Sequence, residues 1–322
     1  MTVALQLQRV VLQPPPTPAT ANTPKAGGSL VVVQTTQPGF LDPHASTGGQ
    51  DITFLRAIYD NPVRRGDDMA PKEEWSIAES WEIRDEGKEI LFKLRPDVKF
   101  HDGTPVDAEA VQWNLNHFMD PSNNSPEKAN VSAIQKAEIV DAMTVSLRLS
   151  RASSSVLNLI GDRVGMLMSP TAYEAKGKEA FRRDPVGTGP FKFKEWVQDD
   201  HLTVVRNENY SRKPFPYLDE IRWNFIKEPA VQLANLESGT AQIAGVSGAD
   251  IKRIEQSQNL KIMTFTGGSI QNFYVNTTFA PWDNKDNRLA FAWAIDREAI
   301  VKGLLLGQGQ PAVGPISPAF QW

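Results

Sequence analysis

The stretch Asp184-Pro185-Val186-Gly187-Thr188-Gly189-Pro190-Phe191, with Arg206-Asn207-Glu208-Asn209-Tyr210 following it, decides how this chain is read. Two glycines around a threonine have the outline of a phosphate-cradling loop, but the chemistry of one is missing. No Lys-Ser or Lys-Thr pair follows the glycines, so nothing reaches a terminal phosphate or a magnesium ion. Pro190 also removes a backbone N–H where such a loop needs one. The glycines therefore read as a tight turn feeding the alternating strand Phe191-Lys192-Phe193-Lys194-Glu195-Trp196.

Outward from that turn the pattern alternates between strands and helices. Leu202/Val204 and Ile221/Trp223/Phe225 have the period of two of half-buried strands, and all belong with Phe191–Trp196 and Leu30–Val33 in one sheet. Leu30 to Val33 is a continuous apolar run, as in a strand buried on both faces, and it opens into the polar Gly/Pro loop Thr35 to Phe40. Ile83 to Leu94 reads as a hairpin turning at Asp85–Lys88, and a second hairpin turns at Asp141-Ala142. Asp107 is placed to cap a helix whose Val111, Leu115 and Phe118 form an apolar stripe. Ser169-Pro170 opens a short helix that Gly177 ends, and Pro229 to Ser238 is a helix closed by Gly239. Trp81, Trp113, Trp223 and Trp293 sit in periodic apolar patterns and are expected in the core. The mix of hairpins and interleaved helices is an α/β, mixed α+β, architecture.

Composition excludes several classes. The 322 residues carry 34 basic against 38 acidic side chains, a net charge of −4, which provides no basic face for nucleic acid. There is no cysteine, so thiolate zinc clusters, thiol catalysis and disulfides are out. The four histidines, His44, His101, His117 and His201, are scattered without zinc-site spacing, so no metal and no cofactor is expected. His101-Asp102-Gly103 is read as a turn, not a catalytic pair, and Ser153 to Ser155 lacks a nucleophile-elbow frame. No catalytic residue is assigned. No stretch reaches the ~18 apolar residues of a membrane span. Residues 1–27 read as a damaged export segment plus a Pro/Thr/Ala linker, with Ala19-Thr20-Ala21 in the small-x-small form of a cleavage site.

Four segments in order carry a resemblance. They are Ala78-Glu79-Ser80-Trp81-Glu82-Ile83; Phe92-Lys93-Leu94-Arg95 through Phe100-His101-Asp102-Gly103-Thr104-Pro105; the glycine turn; and Ala294-Ile295-Asp296-Arg297-Glu298-Ala299-Ile300-Val301. Together they resemble the family 5 extracellular solute-binding proteins of peptide and nickel ABC importers. One departure is Leu236-Glu237-Ser238-Gly239, which leads to Ala241-Gln242 where the family often has an acidic residue.

The resemblance implies a periplasmic-binding-protein-like fold of type II, two lobes with an extra inserted domain. On that mapping residues 28–45 and 183–267 form the first lobe, 46–182 the insertion, and 268–322 the start of a second lobe that is incomplete. It implies capture of a short peptide or similar small solute between the lobes, delivery to ABC permease subunits, a monomer when complete, and a periplasmic or extracellular location. Nickel chelates, sugars and opines are other solutes of the family. Thr36, Gln37 and Phe40 on the first-strand loop, and Asn272 and Tyr274 on a later strand, are the expected ligand contacts. A hydrolase on a related scaffold, or a non-binding fragment, are the rival readings. With the second lobe incomplete, the chain as given is expected to bind its ligand poorly or not at all and to leave Leu289, Ala292, Trp293, Leu304 and Leu305 uncovered.

Overall fold

The computed structural model describes residues 2–3, 7–12, 24–46, 49–66, 70–123, 125, 128–153, 155–266, 271–307, 309–312 and 314. The expected proline linker at 14–18, Gly268, and the end of the chain from 315 lie outside these residues. The chain divides into two compact units, residues 21–31 with 35–225, and residues 1–20 with 32–34 and 226–322.

Alternation builds the first sheet of the larger unit. Ala78–Arg84, Glu89–Leu94, Thr144–Leu149 and Ile134–Asp141 lie side by side in that order, all antiparallel. Ile90, Phe92 and Leu94 on one strand, and Val145, Leu147 and Leu149 on its neighbour, are buried as a period of two requires. The hairpin turns through Asp85, Glu86 and Gly87, all at positive φ, and the Lys88 N–H closes it on the Asp85 carbonyl at 2.9 Å. Helix Ala108–Met119 covers the buried face. The Asp107 carboxylate accepts from the Ala110 N–H at 2.9 Å, and Val111, Leu115 and Phe118 enter the same core cluster as Phe92 and Leu147.

The second sheet of this unit is the meander Phe191–Val197, His201–Arg206, Glu220–Phe225, with Ser29–Gln34 next in order. That is the strand set expected from the alternation. The middle strand departs from expectation in burial. His201 and Thr203 are buried as well as Leu202 and Val204, so both of its faces are covered although its polarity alternates. Helix Ile52–Ile58 packs Phe54 edge-on against Trp223 at 5.3 Å and against Phe225 at 6.1 Å.

The end of that helix explains the glycine turn. The Gly189 N–H donates to the Ile58 carbonyl at 2.8 Å. A Cβ on Gly187 would lie 2.3 Å from the Ile58 oxygen, and one on Gly189 would lie 2.6 Å from the Ile58 carbonyl carbon. Glycine is required here by close backbone approach. Thr188 Oγ1 accepts from the Asp60 N–H at 3.0 Å, and His101 braces the turn from its other side. The Gly187 N–H donates to His101 Nδ1 at 3.2 Å while Nε2 lies 3.0 Å from the Gly189 carbonyl, which selects the neutral Nε2–H tautomer. Burial lowers the pKa of this ring to about 4.

In the smaller unit Val32 and Val33 pair in parallel with Ile243 and Ala244. Leu7–Leu12 runs antiparallel to Ile243–Gly245 and to Lys261–Thr266. The sequence reading places no strand before Gly28, so this segment is an addition to it. Helix Pro229–Glu237 buries Leu233 and Leu236 and ends before Gly239 at φ 78°, as expected. Helix Lys285–Ala294 buries none of its residues, and Trp293 is 86% exposed. The expected core position of Trp293 is thus corrected: the apolar periodicity of this helix lines up a stripe that the described residues do not cover.

Candidate functional site

The expected ligand contacts fall in both units. In the larger unit Thr36 is exposed, and Phe40 is 38% exposed beneath the Arg182 guanidinium, 4.7 Å from the ring centre. Gln37 is tied down: its Nε2 donates to Asp199 Oδ1 at 2.7 Å, and its Oε1 accepts from Trp196 Nε1 at 3.3 Å and the Asp199 N–H at 3.1 Å. It anchors the loop to the Phe191–Arg206 hairpin. In the smaller unit Asn272 pairs with Thr2 as the last residue of strand Gln271–Asn272, and its side chain lies outside the described residues. Tyr274 follows that strand and is 91% exposed, so the two-residue period that put Tyr274 and Asn272 on one face does not extend to it.

A cleft that the sequence reading does not single out lies within the larger unit. It encloses about 400 Å³ between Gly49, Ile52, Arg56, Leu159, Asp162, Arg163 and Val164. Local structure sets each charge. Arg56 stands on helix Ile52–Ile58, whose Phe54, Leu55, Ala57 and Ile58 are buried, leaving Arg56 on the exposed side. Asp162 and Arg163 follow the short helix Val156–Ile160, whose end is held by Asn61, its Nδ2 donating to the Ile160 and Asp162 carbonyls at 2.8 and 2.6 Å. Arg163 is buried and donates from Nη1 to the Ser46 carbonyl at 3.1 Å.

The Asp162 carboxylate is already occupied. Oδ2 pairs with Arg65 Nη2 at 2.5 Å, and Oδ1 accepts from the Arg163 N–H at 2.9 Å. Gly161 makes that pairing possible, since a Cβ there would lie 2.8 Å from Arg65 Cγ, whose stem crosses it. Arg64 is likewise held, its Nη1 2.5 Å from Asp60 Oδ1. Arg56 makes no hydrogen bond or ion pair among the described residues. Arg56 is exposed as a residue, yet its guanidinium is partly desolvated among its neighbours; that desolvation lowers its pKa, Asp162 opposes the shift, and Arg65, Arg64 and Arg163 reinforce it. A signal for this cleft does exist in the sequence: Asp162-Arg163 interrupts the otherwise apolar run Leu159–Met168.

Two further clusters in the larger unit bring distant residues together. Buried Asp60 accepts from Tyr210 Oη at 2.8 Å, pairs with Arg64, and receives Arg212, which also donates to the Trp75 carbonyl. His44 and His117, scattered in sequence, meet with Nδ1 to Nδ1 at 3.2 Å, and Trp113 stacks on His117 at 4.8 Å. One ring of the pair must donate and the other accept, so at least the accepting ring is neutral. Burial first, then the His117 partner, lowers the pKa of His44 to about 3, and burial first, then Lys178, lowers that of His117 to about 4. Among the described residues no group of three or more His, Asp or Glu side chains could hold a metal ion, and no helix is long and apolar enough to cross a membrane.

The comparisons with known proteins agree with this architecture. Residues 74–322 match the family described as bacterial extracellular solute-binding proteins, family 5 Middle. The glutathione-binding protein GsiB of Shigella flexneri is 32% identical over 285 residues, covering 88% of this chain and 55% of that protein. The solved structure of AgaA from A. tumefacien R10, in complex with agropinic acid, superposes with a TM-score of 0.81 at 30% identity over 89% of this chain and 58% of that one. The oligopeptide-binding protein AppA of Bacillus subtilis, in complex with a nonapeptide, has a TM-score of 0.81 at 27% identity over 92% of this chain and 59% of that one. The chain belongs to the family 5 solute-binding proteins, and its fold is that of the type II periplasmic binding proteins. It spans about half the length of the curated relatives it matches.

Proposed function

We propose that this chain is the substrate-binding part of an ABC importer, capturing a short peptide or similar small solute outside the cytoplasmic membrane for a permease, without making or breaking a bond. The observation that carries the reading is the match of about nine-tenths of the chain to structures holding a nonapeptide and agropinic acid, beside the sequence match to a glutathione-binding protein. The two-lobe division, with 28–45 and 183–267 in the first lobe, 46–182 inserted and the second lobe beginning at 268, belongs to this proposal. So does closure of the lobes on the solute, with the closed form selected by binding.

Within the larger unit, Thr36 and Phe40 are the expected loop contacts exposed enough to touch a solute, with Gln37 positioning them. Tyr274 offers an exposed ring in the smaller unit, and Asn272 precedes it on the backbone. Titration calorimetry with glutathione, dipeptides and a nonapeptide, on this chain and on the product of its whole reading frame, tests the proposal. Saturable binding of at least one peptide is expected. Absence of saturable heat with every solute in both proteins would overturn it.

A further inference from the structure

The N-terminal arm of the chain pairs with residues more than two hundred positions away. Leu7–Leu12 lies between Ile243–Gly245 and Lys261–Thr266 in the smaller unit, antiparallel to both. Each residue from Leu7 to Leu12 has a register partner on Lys261–Thr266, and Val10, Val11 and Leu12 have a second on Gly245, Ala244 and Ile243. Thr2 and Val3 pair in the same sense with Asn272 and Gln271. Among the described residues the arm does not pair with Ser29–Gln34, the strand that follows it in the chain. Withdrawn, the arm would leave two backbone edges, on Ile243–Gly245 and on Lys261–Thr266, on either side of an empty strand position. Unpaired ladder edges take up an extended segment that fits their register, because main-chain hydrogen bonds supply the affinity.

The arm is tethered through residues 13–23, which include Pro14-Pro15-Pro16-Thr17-Pro18. Beyond the tether the chain is pinned in the larger unit, where the Gly27 N–H donates to the Tyr217 carbonyl at 2.7 Å and the Gly28 N–H to Asp219 Oδ2 at 2.8 Å. An arm in its own slot and the same arm in the slot of a second copy make the same ladder contacts. The tether and the protein concentration therefore decide between the two arrangements. A flexible tether holds an arm at an effective concentration of about 1 mM at its own slot, which outcompetes other copies. Proline-rich sequence instead extends by about 3.1 Å per residue and resists folding back. We infer that Leu7–Leu12 is an exchangeable strand, and that a second copy of this chain supplies it, giving a reciprocal dimer in which each partner completes the other's sheet.

The chain has no cysteine, so introduced thiols report the pairing directly. Val10→Cys and Met263→Cys place thiols on register partners, and Met263 is half-exposed. The two full-length variants are mixed in equal amounts, unfolded in urea, refolded at protein concentrations up to about 100 µM, a tenth of the effective concentration of a flexible tether. They are then joined with a short bis-maleimide, and the linked peptides are read by mass spectrometry. A 10–263 link between chains is expected, in a species of twice the mass, with a yield that rises with concentration. In a chain carrying both cysteines the 10–263 link within one molecule should fall correspondingly. Replacing the tether's prolines, Pro14→Gly, Pro15→Gly, Pro16→Gly and Pro18→Gly together, should cut the between-chain link at about 10 µM to about 1% of the total, the ratio of that concentration to about 1 mM. Gln8→Cys with Phe265→Cys, a second pair of register partners, repeats the measurement if a first variant does not refold. A 10–263 link confined to single chains at every concentration overturns the inference. So does a between-chain yield that the glycine tether leaves unchanged, or a doubly substituted chain that forms the link in neither arrangement.

Discussion

Acidification should weaken the larger unit through the His44–His117 contact. His44 is 2% exposed and is held neutral in the native protein, with a pKa of about 3 against an ordinary 6.5. The unfolded ring protonates first as pH falls, so the unfolded state binds the extra proton and stability is lost on the acid side. This contribution is whole above 6.5, declines below it, and is exhausted once pH passes the native value near 3. At about pH 5 the unfolded ring is almost fully charged and the native ring is not, which is worth about 2 kcal/mol for His44 alone. His117, lowered to about 4 and only half-buried, shifts the same way by a smaller amount. Against a typical stability of about 5–15 kcal/mol, a loss of that size is readily measured. The assay is urea unfolding at about pH 7 and about pH 5, read by hydrogen exchange over Ala108–Met119, the helix that carries His117. His44→Gln should lower stability at both values but shrink the pH-dependent loss by about 2 kcal/mol. An identical acid loss in wild type and variant, or an NMR titration of His44 near its ordinary value, would show that the pair is not the cause.

Other expectations follow from single contacts. Gly189→Ala should destabilise by about 3 kcal/mol, since its Cβ would strike the Ile58 backbone 2.6 Å away; a thermal midpoint within a degree or two of wild type would contradict it. Asp60→Asn leaves Arg64 and Arg212 without their buried carboxylate and should cost about 3–5 kcal/mol in denaturant unfolding. Asp107→Ala removes the cap on the Ala110 N–H and should cost about 1 kcal/mol, seen as faster exchange in the first helical turn.

Much of the local structure was legible before any coordinates. The alternation of Ile90/Phe92/Leu94 and Val145/Leu147/Leu149, the stripe Val111/Leu115/Phe118, and the caps at Asp107 and Ser169 are all set by neighbours within four residues. The sequence therefore carries them openly, and the structure buries or bonds each as read. The glycine turn was legible as a turn, but its cause was not. Gly187 and Gly189 are required by Ile58, some 130 residues earlier, and no local pattern reports that approach. The burial of both faces over residues 201–204 was hidden for a related reason: alternating polarity predicts one wet face, whereas the packing around that part of the strand covers both. Trp293 misled in the opposite direction, because periodicity states which residues share a side and not whether anything lies against it.

The candidate site divides along the same line. Thr36, Gln37 and Phe40 could be named from the sequence because a buried strand opening into a polar Gly/Pro loop is itself a local signal. By itself the sequence determined the strands, helices, caps and turns, and through four ordered segments the family. Only the tertiary structure decided that Arg56 shares a cleft with Asp162 and Arg163, that Arg65 takes the Asp162 carboxylate across Gly161, and that His44 touches His117. Periodicity is fixed by interactions along the chain, whereas a cleft and the ion pairs across it exist only after packing has brought distant segments together.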